Sequence, residues 1–409
     1  MMLLLNDLLV NWDVHWGPLR LLEYVSTRVV AAAFTAFVLM MLLMPHLIHW
    51  LKRKKFGETG AKGDGAVVVD AMREGKKGTP TMGGLGIVVC ISVATVLWCD
   101  PSEMRTWLML FGLLSFALVG FLDDRTKIFK GAKGTPLFVK LGIQLVASAT
   151  CGIGLYLINQ HIAYGADGLL LHSHPAGSQL PESYVKTLFD PVLGERSYTV
   201  RLAVYQLSFP FVSVEYAINL GLGLIAWVML VSVACANGVN FTDGMDGLAS
   251  GTMLIAALAF MVIAYVTSRV DTADYLKVLY ISGGQDVAIF CAATAGACLG
   301  FLWFNCAPAE VFMGDTGSQA LGGALGLAAL NTKQEFLVLL VGFVFVMEAG
   351  SVALQIASYR LRAGKRIFLC APIHHHFQYK GWPESKIVLR FWIIAALAAL
   401  VALATLKIR

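Results

Sequence analysis

The sequence predicts an all-α integral membrane protein with about ten transmembrane helices, both termini extracytoplasmic. A small extracytoplasmic insertion over residues 159–215 is expected within this single polytopic domain, and it can hold a β-hairpin. Three observations carry the reading. The chain is 57% hydrophobic and only 14% charged over 409 residues, too apolar for a soluble domain. Its apolar runs reach the roughly 20 residues a helix needs to cross a bilayer. Lys and Arg concentrate in alternate loops. Backbone groups in lipid must be paired within their own segment, so the runs are helices, and the alternation of a membrane β-barrel is absent.

Spans are expected at 29–50, 80–98, 105–122, 137–158, 216–236, 247–267, 286–304, 318–332, 335–359 and 386–407. The first ends against Lys52-Arg53-Lys54-Lys55. Pro80 suits the first turn of the second, where a missing N–H costs nothing. Asp123 and Asp124 close the third. The fourth leads into the insertion, whose Pro175, Pro181, Pro191 and Pro210 break regular structure and whose Tyr198-Thr199-Val200 is β-prone. The fifth is weakly marked, and the eighth is short and rich in Gly and Ala. The ninth carries Glu348, the main ionisable residue at mid-span. Residues 1–28 contain Asp7, Asp13, Arg20 and Glu23 and lack the basic start and apolar core of a cleavable signal. The eight cysteines are scattered, without disulfide or metal spacing, and read as small packing residues.

The loops after spans one, three and nine carry most of the Lys and Arg, which makes that side cytoplasmic. Parity then brings 237–246 and 305–317, which contain neither Lys nor Arg, to the same face. Acidic, amide, basic and imidazole groups would thus gather at one membrane surface, a setting for anionic, metal-bound chemistry.

Five stretches carry that chemistry. In Lys76-Lys77-Gly78-Thr79-Pro80, the lysines precede a helix start whose free N–H groups favour phosphate, although positive-inside lysines before an ordinary helix would look the same. Asp123 and Asp124 repel one another beside hydrocarbon and call for cations, either Arg125 and Lys127 or a divalent ion. Asn237, Asn240, Asp243 and Asp246 recur at intervals of three, while Gly238, Gly244 and Gly247 favour a tight loop with backbone open to a ligand. Their oxygens suit ribose hydroxyls, a uracil edge or Mg²⁺. Asp315, framed by glycines at a helix start, can be an N-cap or a Mg²⁺ ligand, since that ion takes one or two carboxylates and leaves room for water and phosphate. Phe312, at a loop tip, is available to stack on a base. His374, His375 and His376 cannot share one helix face, which argues against an ordinary helical zinc site. They can bridge or neutralise phosphate oxygens. His172 and His174, in the insertion, read as a solvated loop.

Together, Gly78 to Gly84, Gly120-Phe121-Leu122-Asp123-Asp124, Asn237 to Ala249, Val311 to Ser318, Ala371 to Phe377 and Gly381-Trp382-Pro383-Glu384 resemble the motifs of the polyprenyl-phosphate N-acetylhexosamine-1-phosphate transferases, in the same order. The resemblance covers all but about forty residues of the insertion, where this chain is longer. The unbroken His-His-His points to the muramoyl-pentapeptide branch rather than to the N-acetylglucosamine branch. What the resemblance implies is transfer of phospho-MurNAc-pentapeptide from UDP-MurNAc-pentapeptide to undecaprenyl phosphate, releasing UMP, with Mg²⁺ required. It makes Asp315 the principal metal ligand and Lys76, Lys127, Lys140 and the histidines phosphate partners. Phe312, with Asn240, Asp243 and Asp246, becomes the nucleoside pocket, and Asn305 and Gln355 become weaker substrate neighbours. For Asp123 and Asp124 three roles stand side by side: a base for the lipid phosphate, the nucleophile of a two-step reaction, or a group that positions the lipid phosphate for direct attack. The last is preferred because the phosphate is already mostly dianionic. Membrane lipid is the expected surround, nucleic acid is not an expected partner, and a homodimer is left open. A membrane prenyltransferase would need two Asp-rich motifs in two repeats, and a transporter would place its ionisable groups at mid-membrane. Neither pattern is present.

Overall fold

A computed structural model describes residues 1–2, 21–54, 76, 78–130, 134–164, 184–190, 194–200 and 205–408. Lys77, His172 and His174 lie outside the described residues. All ten segments expected to span are helical: α1 (Val25–Arg53), α2 (Gly84–Trp98), α3 (Met104–Lys130), α4 (Leu137–Tyr164), α5 (Gly223–Thr242), α6 (Leu248–Thr267), α8 (Gly284–Asn305), α9 (Gly314–Asn331), the pair α10 (Val338–Val341) and α11 (Phe343–Leu361), and α13 (Glu384–Thr405). The short helices α7 (Val270–Leu276) and α12 (Ile373–Tyr379) complete the helical part. Among the described residues, α1, α3, α4, α5, α6, α8 and α13 are long and apolar enough to cross a bilayer, and α2 is a shorter apolar helix.

Two departures from the expected spans have clear causes. The ninth is not straight. It bends by 86° between Glu335–Val341 and Phe343–Leu361, at Gly342, where backbone restraint is least. The eighth, α9, is buried from Thr316 to Asn331. A helix surrounded by protein rather than lipid does not need a strongly apolar surface, which explains its weak hydropathy. Its small residues serve close packing instead. Side chains at Gly322 and Gly326 would run into the backbone of α5, and one at Gly323 into Phe116 of α3.

At one end of the bundle, buried Arg105 donates to the Ser282 carbonyl at 3.0 Å and to Asn331 Oδ1 at 2.9 Å. Asn331 ends α9 and Asp315 begins it, so this clamp stands roughly 25 Å from the acidic site by helix rise alone. Within the insertion, β1 (Tyr184–Asp190) and β2 (Gly194–Val200) pair antiparallel, with Tyr184 opposite Val200. The expected hairpin is therefore present, and Tyr198-Thr199-Val200 lies in its second strand.

Candidate active site

The third helix runs to Lys130, about two turns past the expected boundary, so Asp123 and Asp124 sit inside a helix rather than at its close. That changes what each can reach. Asp123, Lys127 and the incoming Lys140 of α4 form one knot with Asp315 of α9. The Lys127 ammonium lies 3.0 Å from Asp123 Oδ2 and 2.9 Å from Asp315 Oδ2. The Lys140 ammonium lies 3.1 and 2.7 Å from the same two oxygens. Asp123 Oδ1 also accepts the Thr135 N–H at 2.7 Å, holding the loop that delivers Lys140.

Among the described residues, no lysine is paired with Asp124. Its carboxylate accepts the N–H groups of Asp315 and Thr316 and the Thr316 hydroxyl, and so does the work of an N-cap for α9 from a different helix. Asp315 is therefore not a cap. It lies in the first turn of α9, where the helix dipole favours an anion, and its other oxygen accepts from Asn240 Nδ2 at 3.1 Å.

The stretch expected as a loop from Asn237 is mostly helical. Helix α5 continues to Thr242 and only 243–247 turns, because the three-residue spacing keeps Asn237 and Asn240 on one face of a helix that packs on α9. Asn237 lies deeper, exchanging amide hydrogen bonds with Gln144 of α4, while Gln144 also donates to Gln319 of α9 at 2.6 Å. Asn240 thus faces Asp315 and Ser318. Burial first, and then the carboxylates of Asp315 and Asp124, push the Asp243 side chain up to about 8.

A second group lies on the other flank of the same turn. The Lys76 ammonium bridges Asp246 at 2.6 Å and Glu384 at 2.7 Å and sits 5.9 Å from the centre of the half-exposed Phe312 ring. Burial works against the Lys76 charge, but Glu384 and Asp246 outweigh it and hold the ammonium above its ordinary range. Asp246 Oδ2 accepts the Ala309 N–H. Asn305 accepts from the Gly247 N–H and the Ser250 hydroxyl and donates to the Val311 carbonyl, locking the Phe312 loop to the 243–247 turn.

Helix α2 starts at Gly84, not at Pro80. The N–H groups of Gly83 and Gly84 are taken by the carbonyls of Phe312 and Met313, and Pro80 accepts the Phe312 N–H. The N–H groups expected to bind phosphate are thus already spent on holding that loop.

The three histidines start α12 and diverge. His374 is fully buried, its Nδ1 3.0 Å from Glu348 Oε2. His375 pairs with Gln378 at 2.6 Å, and His376 Nδ1 accepts the Leu369 N–H. Gln355 is occupied locally, accepting from Ile367 and Phe368 and donating to the Phe368 carbonyl. Sequence reasoning missed Thr316, Ser318, Thr135 and the Gln144–Gln319 amides, and did not assign Glu384 to Lys76. Gln144 alone carried a visible signal, as an amide inside an apolar span.

Three carboxylates, from Asp123, Asp124 and Asp315, face two ammonium groups, with Asp243 beside them kept protonated near neutral pH by burial. The excess negative charge fits a divalent cation. Among the described residues no three His, Cys, Asp or Glu side chains are grouped to hold a metal by themselves. Asp315 would be the residue to hold it.

Lysines shared between carboxylates among the helices of a membrane protein are the arrangement expected of a membrane phosphosugar transferase. Residues 183–333 match Glycosyl transferase family 4. The chain is similar to the phospho-N-acetylmuramoyl-pentapeptide-transferase of Solidesulfovibrio magneticus, 41% identical over 98% of this chain and 99% of the relative. It is also 42% identical to that of Dinoroseobacter shibae, over 95% and 96%, and 40% identical to that of Protochlamydia amoebophila, over 94% of each. The chain belongs to the phospho-N-acetylmuramoyl-pentapeptide-transferase family.

Proposed function

We propose that this protein transfers phospho-MurNAc-pentapeptide from UDP-MurNAc-pentapeptide to undecaprenyl phosphate, giving lipid I and UMP in the first membrane step of peptidoglycan synthesis. The site faces the cytoplasm, in a bacterial inner membrane. The observation that carries the reading is the pair of lysines shared between Asp123 and Asp315. Cations already balanced by carboxylates can exchange those partners for phosphate oxygens with little rearrangement.

An oxygen of the lipid phosphate attacks the sugar-bearing phosphorus. A new P–O bond forms there, the bond to the bridging oxygen breaks, and UMP leaves with the electron pair. A phosphate monoester is already mostly dianionic at neutral pH, so the attack does not require a protein base. Alignment and charge neutralisation dominate. Lys127 and Lys140 bind the phosphates, Asp123 holds those lysines in place, and Asp124 fixes the helix start that presents Asp315. Phe312 stacks on the uracil, with Lys76 and Asp246 beside it. Bound Mg²⁺, held by Asp315, would supply further neutralisation of the diphosphate.

Purified protein in detergent should release UMP from UDP-MurNAc-pentapeptide only when undecaprenyl phosphate and Mg²⁺ are present, and UDP-N-acetylglucosamine should not replace the donor. Release from UDP-N-acetylglucosamine instead would move the chain to the neighbouring branch. Trapping a phosphorylated enzyme that turns over competently would overturn direct attack.

A further inference from the structure

Glu348 stands apart from the carboxylates discussed so far. It is fully buried in α11, and of its two oxygens one meets His374 Nδ1 at 3.0 Å and the other has no partner. A carboxylate in such a place is costly and calls for a specific reason. The imidazole it contacts is equally unusual. His374 is fully buried and its Nε2 has no hydrogen-bond partner. Buried polar atoms are nearly always paired, and an exception calls for an explanation such as a catalytic role or a bound water or ion.

The ring lies flush against the Asp243–Gly247 turn. A side chain at Gly244 would collide with His374, meeting Nε2 first. That turn carries Asp243, which senses Asp315 and Asp124, and Asp246, which binds Lys76. His375 and His376 spend their Nδ1 atoms on Gln378 and on the Leu369 N–H. Of the three rings, His374 is the one aimed at the turn between the two halves of the site.

We propose that Glu348 is a positioning residue for His374. It accepts the Nδ1 proton, which fixes both the ring plane and the tautomer. Nε2 is thereby directed at the Asp243–Gly244 turn beside the acidic site, where a group of the nucleotide-sugar substrate supplies its missing partner. The class of ligand is a phosphate-bearing nucleotide, its hydroxyl or phosphate group meeting Nε2. A nitrogen left unpaired in the free protein and paired in the complex contributes to binding in the complex alone. This proposal rests on the transferase reading above.

Two measurements on the full chain test it, one of them independent of turnover. Nitrogen-15 NMR of histidine-labelled protein should show His374 protonated at Nδ1 and bare at Nε2. Adding UDP with Mg²⁺ should shift the Nε2 resonance. In Glu348→Leu no acceptor faces Nδ1, so the preference for the Nδ1-protonated tautomer should be lost and the UDP response should weaken. An unchanged tautomer in that variant, or a wild-type Nε2 indifferent to UDP, would overturn the proposal.

In the UMP-release assay, Glu348→Leu should lower kcat by about 10- to 100-fold, the range for residues that orient a functional group. KM for the nucleotide sugar should rise as well, because the Nε2 contact is made in the bound complex. Glu348→Leu combined with His374→Asn should be no slower than His374→Asn alone, because the two act as one unit. Multiplicative losses would mark Glu348 as merely structural. Glu348→Asp, which keeps the charge, should recover part of the rate and serves if the leucine variant does not fold. Wild-type protein inactive on UDP-MurNAc-pentapeptide would count against the transferase reading, and the NMR result would still decide the pairing.

Discussion

The Asp124 side chain caps the helix that carries Asp315 in its first turn, with Asp124 Oδ1 3.0 Å from the Asp315 nitrogen. The other Asp124 oxygen accepts from Thr316 twice, at 2.9 and 2.6 Å. The relationship separates two adjacent carboxylates that look equivalent in the sequence. Asp123 holds lysines, and Asp124 holds backbone. Asp124→Ala would strand buried N–H groups, and its thermal stability should fall by about 1–3 kcal/mol. Asp124→Asn keeps one acceptor oxygen and should remain folded. It should still lose turnover by about 100-fold or more, because the Asp315 carboxylate shifts from its place. Melting curves beside UMP-release rates check both variants. Full activity in Asp124→Asn would show that the cap has no bearing on the reaction.

Asp243 gives a pH signature. Burial and its acidic neighbours hold its folded-state carboxyl at about 8, against about 3.9 for an unfolded aspartate. Between those values the folded state binds more protons than the unfolded state. Stability must therefore fall as pH rises through the window, with a slope from this group of at most about 1.4 kcal/mol per pH unit. Below about pH 4 the group contributes nothing, and above about pH 8 the loss is complete. Asp243→Asn should accordingly melt higher than the wild type at about pH 8 in metal-free buffer, with the advantage shrinking as pH is lowered. Mg²⁺ should narrow the gap, since a cation lets the wild-type carboxylate ionise. A pH-independent difference between the two proteins would sink the account.

Much of this was legible in the residues, and the failures share a physical cause. Apolar length located the long helices, and polar stretches at their ends marked Lys76, Asp123, Asp124, Asn240, Asp246 and Asp315, which pair with one another or with each other's helices. What pattern could not supply was the partner of each group. Nothing in the spacing says that Lys140, seventeen positions from Asp123, folds back onto it through the Thr135 N–H. Nothing says that the N–H groups after Pro80 are taken by Phe312 and Met313. Helix ends were misplaced where polar residues continue a helix into the site, as at Asp123–Asp124 and Asn237–Asn240, because tertiary partners replace the solvent that polar side chains otherwise signal. The bend at Gly342 was hidden by an apolar run that continues unbroken across it.

Phe312 offers a direct check on the nucleoside pocket. Its ring is half-exposed and lies 5.9 Å from the Lys76 ammonium, and hydrogen bonds from Phe312 N–H to Pro80 and from Gly83 to the Phe312 carbonyl hold its backbone. The loop can therefore lose the ring without losing its path. Stacking on a base is worth about 1–3 kcal/mol, so Phe312→Ala should raise KM for the uridine nucleotide by about 5- to 150-fold with a smaller change in kcat. Phe312→Tyr, which keeps the aromatic face, should stay close to wild type. Equal KM values for the alanine variant and the wild type would remove Phe312 from the pocket.

The approach of α3 to α9 depends on the absence of one side chain. A Cβ at Gly120 would collide with the carbonyl group of Asp315, three residues before Asp123 on the same helix. Gly120→Ala must push the start of α9 away, and overpacking of this kind costs about 1–3 kcal/mol. The displacement would also open the gap that Lys127 and Lys140 now bridge, so activity should fall by more than the loss of folded protein explains. Gly350 in α11 is the matched control, with nothing within 4 Å of an added Cβ. Gly350→Ala should leave turnover unchanged and stabilise α11 by about 0.5–1 kcal/mol, the usual gain from replacing a helical glycine. If Gly120→Ala retains full activity and melts with the wild type, the two helices have slack that these distances do not allow, and the close packing is not what sets the acidic site.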